Sequence, residues 1–250
     1  MRRVWPPIAL LGLAVGVWEL VVRAASVPDY LFPSPSEVGS ALGSDARLLA
    51  SATAVTAREV LLGFLLAGAV AVACAVALHF SAPLRRALLP ILVVSQTVPT
   101  VVLAPVLAIL LGYGIAPKLV VVAVVCFFPI VVNAVDGLRA TDPELVRMMR
   151  TLHGGRLAIF RRVEFPGALP QIFSGARVAA TYAAVGAVFG EWTGSTSGLG
   201  FVILQAQPAL ATARIFAAVL ILSALALALF GLVALAERLL VPWQREAVHA

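Results

Sequence analysis

Six separated apolar blocks constrain this chain more than any other feature of its sequence: residues 5–22, 60–78, 88–111, 119–135, 172–189 and 215–236. Each is about 17 to 24 residues long, and a helix of that length crosses the ~30 Å hydrocarbon layer of a bilayer. Inside that layer a lipid-exposed segment must satisfy its own backbone, so an apolar block of this length reads as a helix. The expectation is an all-α membrane protein of about six transmembrane helices, forming a single domain over residues 1–250. Arg177 interrupts the fifth block near one end, where a long side chain reaches the interface. The first block follows Arg2 and Arg3 and exceeds the apolar core of a cleaved signal peptide, so it reads as a helix too.

The charges agree. Hydrophobic residues make up 62% of the chain and charged residues 12%, against ~45–50% and ~25% in soluble domains. The net charge of +6 does not point to nucleic acid, because the basic residues gather in connections between blocks and not along one stripe. With the N-terminus placed inside, alternate connections hold 13 arginines on that side and five basic residues on the other. The positive-inside rule then puts both termini in the cytoplasm of a multi-pass protein of the cytoplasmic membrane. Cys74 and Cys126 fall within apolar blocks, without CxxC or zinc spacing, and read as small buried hydrophobes.

Local signals fill in the connections. The outer segment 26–56 is too polar to span, and within it Ser34, Pro35 and Glu37 predict a capped helix start, with Val38 and Leu42 on one face. In the second block Gly63, Ala67, Ala71 and Ala75 form a small-residue stripe against which another helix packs closely. Ser95, Gln96, Thr97 and Pro99 place polar groups and a helix breaker inside the third block, and Asn133 adds an amide near the inner end of the fourth. Polar groups at membrane depth face other helices or a wet path, which makes Gln96, Thr97, Pro99 and Asn133 candidates for a solute route. Glu191 and Trp192, at the outer end of the fifth block, are candidates for its entrance, offering an acceptor and an aromatic face. Interhelical hydrogen bonding is the favoured alternative for Asn133, and an interfacial Trp beside a solvated Glu serves the last pair.

The cytoplasmic stretch 136–171 is too long for a turn and too polar to span. Thr141 and Glu144 predict a capping box, Leu145, Met148, Met149 and Leu152 follow at helical spacing, and Gly154 with Gly155 closes the helix. A second short helix is expected from Arg156 to Glu164, ahead of Pro166. The amphipathic face suits either lipid headgroups or a groove on a partner, with methionines as adaptable contacts.

Here the residues carry a family resemblance. The run through Leu152, His153, Gly154, Val163, Phe165 and Pro166 resembles the EAA loop of ABC importer permeases, with Val163, Phe165 and Pro166 on the pattern's Ile, Leu and Pro. Arg147, Met148 and Met149 stand where the pattern has Glu, Ala and Ala, and His153 stands on its glycine. Leu31 to Pro35, Gln96 to Pro99 and Phe128 to Asn133 are similar to the nitrate, sulfonate and taurine branch. Gly190, Glu191, Trp192 and Gly198 to Gly200, with Leu240 to Gln244, are most similar to permeases for thiamine's pyrimidine precursors; riboflavin, sulfonate, taurine and nitrate permeases stay open as alternatives. The resemblance implies a type I ABC importer permease fold, a permease homodimer, and two ATP-hydrolysing subunits docked on Leu145, Met148, Met149, Leu152, His153 and Gly154. It also implies an extracytoplasmic solute-binding protein.

One conclusion stands without the family. Lys118 is the sole lysine and lies between Pro117 and Leu119, so no GxxxxGK[ST] phosphate loop exists here. No cofactor is expected in this chain, and ATP-driven transport needs another subunit to bind the nucleotide. An ion-coupled transporter fits less well, because no charge sits mid-block, while a passive pore stays open. A membrane enzyme has the nearest thing to a nucleophile elbow in Gly194 to Gly198, yet Thr196 holds the serine position and no histidine maps to that side.

Overall fold

A computed structural model describes residues 5–243, with side chains from residue 9 onward. Arg2, Arg3, Gln244, Arg245 and His249 lie outside the described residues. The described chain is helical: α1 Trp5–Ala24, α2 Pro35–Ser44, α3 Ala46–Phe80, α4 Ala82–Ser95, α5 Thr100–Leu111, α6 Ile115–Arg139, α7 Pro143–Thr151, α8 Arg156–Ile159, α9 Phe165–Trp192, α10 Leu199–Ala206 and α11 Thr212–Leu240. Among the described residues α3, α6, α11 and the continuous run from α8 through α9 are long and apolar enough to cross a membrane. The pair α4 and α5 is long and apolar enough only when taken together, and is bent by 102° at its break. The 20 residues of α1 reach about 30 Å, the thickness of the hydrocarbon layer.

Helices α3, α6 and α9 make the centre of the bundle, and they approach closely because two of them present small residues. The predicted stripe on α3 is in place: Gly63, Ala67, Ala71 and Ala75 are all buried. A Cβ on Gly63 would fall 2.5 Å from Cβ of Val122 on α6. A second stripe on α9, Gly175, Ala179, Ala183 and Ala187, was not singled out from the sequence; a Cβ at Gly175 would meet the Pro129 carbonyl of α6 at 2.5 Å. Cys126 is buried in this contact and unpaired, whereas Cys74 is only half-buried. Helix α11 packs on α9, α10 fills the angle between them and α3, and α2 lies on α11.

Three boundaries differ from expectation. The segment before the second block is not a loop, since α3 begins at Ala46 and runs for 35 residues. No proline or glycine occurs between Ala46 and Gly63, and alanines dominate, so nothing stops the helix at the membrane boundary. The third block is not one straight span: the helix stops at Ser95, turns, and restarts at Thr100 behind Pro99. A proline has no N–H for the ladder and drives its predecessor out of the helical region. Finally, no break separates the short helix at Arg156 from the fifth block. A π-turn over Phe160–Glu164 joins α8 to α9, with the Phe165 N–H donating to the Phe160 carbonyl. That wide turn sits just ahead of Pro166, whose missing N–H prevents the regular bond at the next position.

The predicted capping box at α2 is complete: Glu37 N–H donates to Ser34 Oγ at 3.4 Å and Ser34 N–H to the Glu37 carboxylate at 2.7 Å. That backbone N–H of Ser34, helped by its hydroxyl, holds the Glu37 carboxyl below its ordinary range. At α7 the cap is Asp142 and not Thr141, the Asp142 carboxylate accepting from Glu144 N–H at 2.8 Å. Arg177 finds a partner in place of open interface, pairing with Glu237 of α11 at 3.2 Å.

The bundle has two distinct ends. At one, Arg156 donates to the Phe80 carbonyl at 2.7 Å and His79 pairs with Glu164 at 2.9 Å, which joins the end of α3 to the segment carrying α7 and α8. At the opposite end Lys118 at the start of α6 reaches Glu59 on α3 and Ser195 after α9. The chain therefore enters α4 at the first end and leaves α5 at the second, so the bent pair carries it across the bundle.

Candidate functional site

Three regions carry the chemistry. The first is α7, nine residues at the end that bears His79 and Glu164. None of its residues is buried, and its main packing contact is with α8. Leu145, Met148 and Leu152 are 46%, 53% and 68% exposed, an apolar face turned largely outward. Met149 is half-buried and turns inward, its Cε near Gly154. The helix closes through His153, whose φ of 57° is left-handed, and Gly154 N–H then donates to the Met149 carbonyl at 2.9 Å. Closure thus rests on His153, with Gly154 needed for space: a Cβ there would stand 2.7 Å from the Met149 oxygen.

The second region is the α4–α5 bend. Gln96 and Ser95 line a cavity of about 330 Å³ together with Thr100, Val124, Phe128 and Tyr182. Ser95 and Thr97 return their hydroxyls to carbonyls of their own helix, at 2.7 and 2.8 Å. Pro99 sets the restart of α5. Asn133 donates to the Pro129 carbonyl one turn back at 2.8 Å and does not line this cavity. Trp192 lines a different, more apolar space of about 440 Å³ between α9, α10 and α11. The sequence candidates are therefore divided between two cavities and a helix interior.

The third region was not assembled from the sequence. Glu59, Lys118 and Glu191 are all buried, Glu191 completely, at the end opposite α7. Lys118 Nζ donates to Glu59 Oε1 and to Ser195 Oγ, both at 2.7 Å. Thr56 Oγ1 donates to Glu191 Oε1 at 2.6 Å and accepts from Leu199 N–H at 2.8 Å, while Gly200 N–H donates to Glu191 Oε2. Glu191 is thus not solvated at an entrance; it supplies, with Thr56, the caps that α10 lacks from its own chain neighbours. Gly198, at φ 108°, has no room for a Cβ beside the Glu191 carboxyl. The signal available in the sequence was positional: Glu59, Lys118 and Glu191 each stand at the same end of a different apolar block.

A bundle of long apolar helices, with an amphipathic helix outside it on a π-turned connection, is a multi-pass membrane protein. Residues 59–245 match the model of the binding-protein-dependent transport system inner membrane component, and the chain belongs to that family, whose fold is that of the type I ABC permeases. The chain is 38% identical over 228 residues to a probable ABC transporter permease protein of Haemophilus influenzae, covering 91% of this chain and 93% of that one. It is 31% identical over 242 residues to the formylaminopyrimidine transport permease protein ThiX of Halalkalibacterium halodurans, 96% of each chain. With the riboflavin transport system permease protein RibX of Chloroflexus aurantiacus it shares 36% identity over 247 residues, 96% of this chain and 91% of that one. The chain is a transport subunit of the membrane.

Proposed function

We propose that this chain works as a homodimer in the cytoplasmic membrane, with both termini in the cytoplasm, and that it imports an uncharged, flat, hydrogen-bonding heterocycle of the aminopyrimidine kind. ATP is hydrolysed by separate subunits docked on α7, and a solute-binding protein delivers the solute to the opposite face. The observation that carries the reading is α7 itself, whose Leu145, Met148 and Leu152 form an exposed apolar ridge at the end of the bundle. A helix with an apolar ridge outside the core calls for a groove to cover it. Met149, His153 and Gly154 shape that helix from behind. Charging Met148 tests it: Met148→Asp should insert normally yet lose copurification with the ATP-hydrolysing subunit. Copurification and ATP turnover at the wild-type level overturn the docking and leave α7 to lipid headgroups.

The solute class is supported by the bend cavity, whose lining of Ser95, Gln96, Thr100, Phe128 and Tyr182 offers neutral hydrogen-bonding groups and aromatic faces and includes no charged residue. An anion passing through a low-dielectric site without a cation bears a large desolvation cost. That favours a pyrimidine or a flavin over the sulfonates, taurine or nitrate. Gln96, placed by Pro99, lines the route, with Thr97 in the turn beside it; Asn133 serves the helix behind it, Trp192 lines the separate cavity, and Glu191 holds α10. Uptake of labelled formylaminopyrimidine, lowered in Gln96→Ala with assembly intact, is the expected result; uptake of taurine in its place overturns the class.

A further inference from the structure

Beside α7, at the end of the bundle that carries the His79–Glu164 pair, lies a recess of about 510 Å³, separate from the bend cavity. Its walls come from three places: His79 at the end of α3, Val146 and Arg150 of α7, and Arg156, Ile159 and Glu164 of the connection that runs through α8 and the π-turn. Val146 and Arg150 stand one turn apart on a face of α7 other than the one formed by Leu145, Met148 and Leu152, so the recess and the exposed ridge are distinct surfaces. Its volume falls within the ~300–1,000 Å³ of small-molecule sites.

The charge of this recess is unbalanced. Glu164, the carboxylate in its lining, is engaged with His79 Nε2 at 2.9 Å. Two guanidiniums face it. Arg156 spends one nitrogen on the Phe80 carbonyl at 2.7 Å and rests over the Phe80 ring, its Cζ 4.9 Å from the centroid, which leaves its other donors unspent. Arg147, on another face of α7, pairs with Glu144 and returns to the Pro143 carbonyl, whereas Arg150 has no such partner among the described residues. A guanidinium presents its N–H groups as a planar fork that matches the oxygens of a phosphate. Depth completes the picture. The apolar block 60–78 ends one residue before His79, and the fifth block begins beyond Glu164, so the recess opens where hydrocarbon gives way to headgroups. Basic pockets between helices at that level take up the headgroups of anionic lipids.

We propose that this recess is a binding site for a phosphate group, held by Arg150 and Arg156 and supplied by the headgroup of an anionic phospholipid. The bound phosphate joins α7 to α8 and, through the contact of Arg156 with Phe80, to the end of α3. The site depends neither on the solute nor on which end of the bundle meets the cytoplasm. The test is thermal unfolding of the full-length permease in a neutral detergent, titrated with short-chain phosphatidylglycerol, with phosphatidylcholine of the same chain length, and with inorganic phosphate. Phosphatidylglycerol should raise the unfolding midpoint saturably, and Arg150→Gln should need about tenfold more of it for the same rise. Arg147→Gln removes the same charge from the same helix outside the recess and should need no more than the wild type. Arg150 holds nothing else among the described residues, so its replacement leaves the fold in place. A rise with phosphatidylglycerol and none with inorganic phosphate assigns the headgroup as the source, and an equal rise with inorganic phosphate assigns a free phosphate to the same site. No rise with either, an equal rise with phosphatidylcholine, or the same dependence in Arg150→Gln as in the wild type overturns the proposal.

Discussion

His153 shows how a single backbone angle explains a departure from a family pattern. It stands where the EAA pattern has glycine, at φ 57°, and hydrogen bonds from its own N–H to the Arg150 carbonyl and from Gly154 N–H to the Met149 carbonyl close α7 around it. A side chain at a left-handed position costs about 1–2 kcal/mol relative to the right-handed region, and glycine escapes that cost. His153→Gly is therefore expected to stabilise the closure of α7 by up to about 1 kcal/mol, once glycine's greater freedom in the unfolded chain is set against the relief. Slower amide hydrogen exchange at Gly154 in the variant is the measurement; faster exchange means that the histidine ring contributes more to the closure than its backbone costs. The sequence marked His153 as a helix terminus, and that was legible because Gly154 and Gly155 follow it. Which of the three residues bears the left-handed angle was not legible, because adjacent glycines fit either register.

At the scale of elements, what the sequence disclosed depended on whether the signal was periodic. The stripe of Gly63, Ala67, Ala71 and Ala75 repeats every four residues and its packing role was readable before any coordinates. Its counterpart on α9 was hidden in a block already rich in alanine, where small residues at Gly175, Ala179, Ala183 and Ala187 stand out only once α6 is seen against them. Proline positions gave breaks but not angles: Pro99 marked the interruption of the third block, while the 102° turn depends on how α5 packs on α6 and α9. Pro166 marked an end that the π-turn over Phe160–Glu164 removed. The stripe on α3 supports a quantitative expectation. Gly63→Leu drives a side chain into Val122 and the Leu119 carbonyl, so α3 and α6 must separate. Overpacking of this kind costs about 1–3 kcal/mol, and the variant should unfold at a lower temperature in detergent while still inserting as a full-length chain. An unchanged unfolding temperature means that the α3–α6 contact is looser than described.

For the whole molecule, sidedness follows from contacts that owe nothing to charge counting. The ties of Arg156 to Phe80 and of His79 to Glu164 set residues 81 and 140–164 at one end. Lys118 with Glu59 and Ser195 sets residues 115 and 193–198 at the other. Arg214 on α11 pairs with Asp45 at 2.6 Å and Thr212 donates to the Tyr30 carbonyl at 2.6 Å, which brings 26–45 to that second end as well. These pairings join positions far apart in the chain, so they were not legible from blocks alone, whereas the long apolar helices α3, α6, α9 and α11 were. Which end meets the cytoplasm is a separate matter, and the proposed orientation rests on the arginines: Arg85, Arg86, Arg139, Arg147, Arg150, Arg156, Arg161 and Arg162 cluster at the end bearing α7. Cysteines placed at the exposed positions Ser40 and Ser197 should then react with an impermeant maleimide added outside intact cells, and one at Ala140 should react only after the membrane is opened. Because the two ends are fixed by internal contacts, Ser40 and Ser197 must behave alike. Labelling of Ala140 alone from outside reverses the orientation and removes α7 from the reach of any ATP-hydrolysing subunit, and labelling of Ser40 without Ser197 breaks the bundle's topology itself.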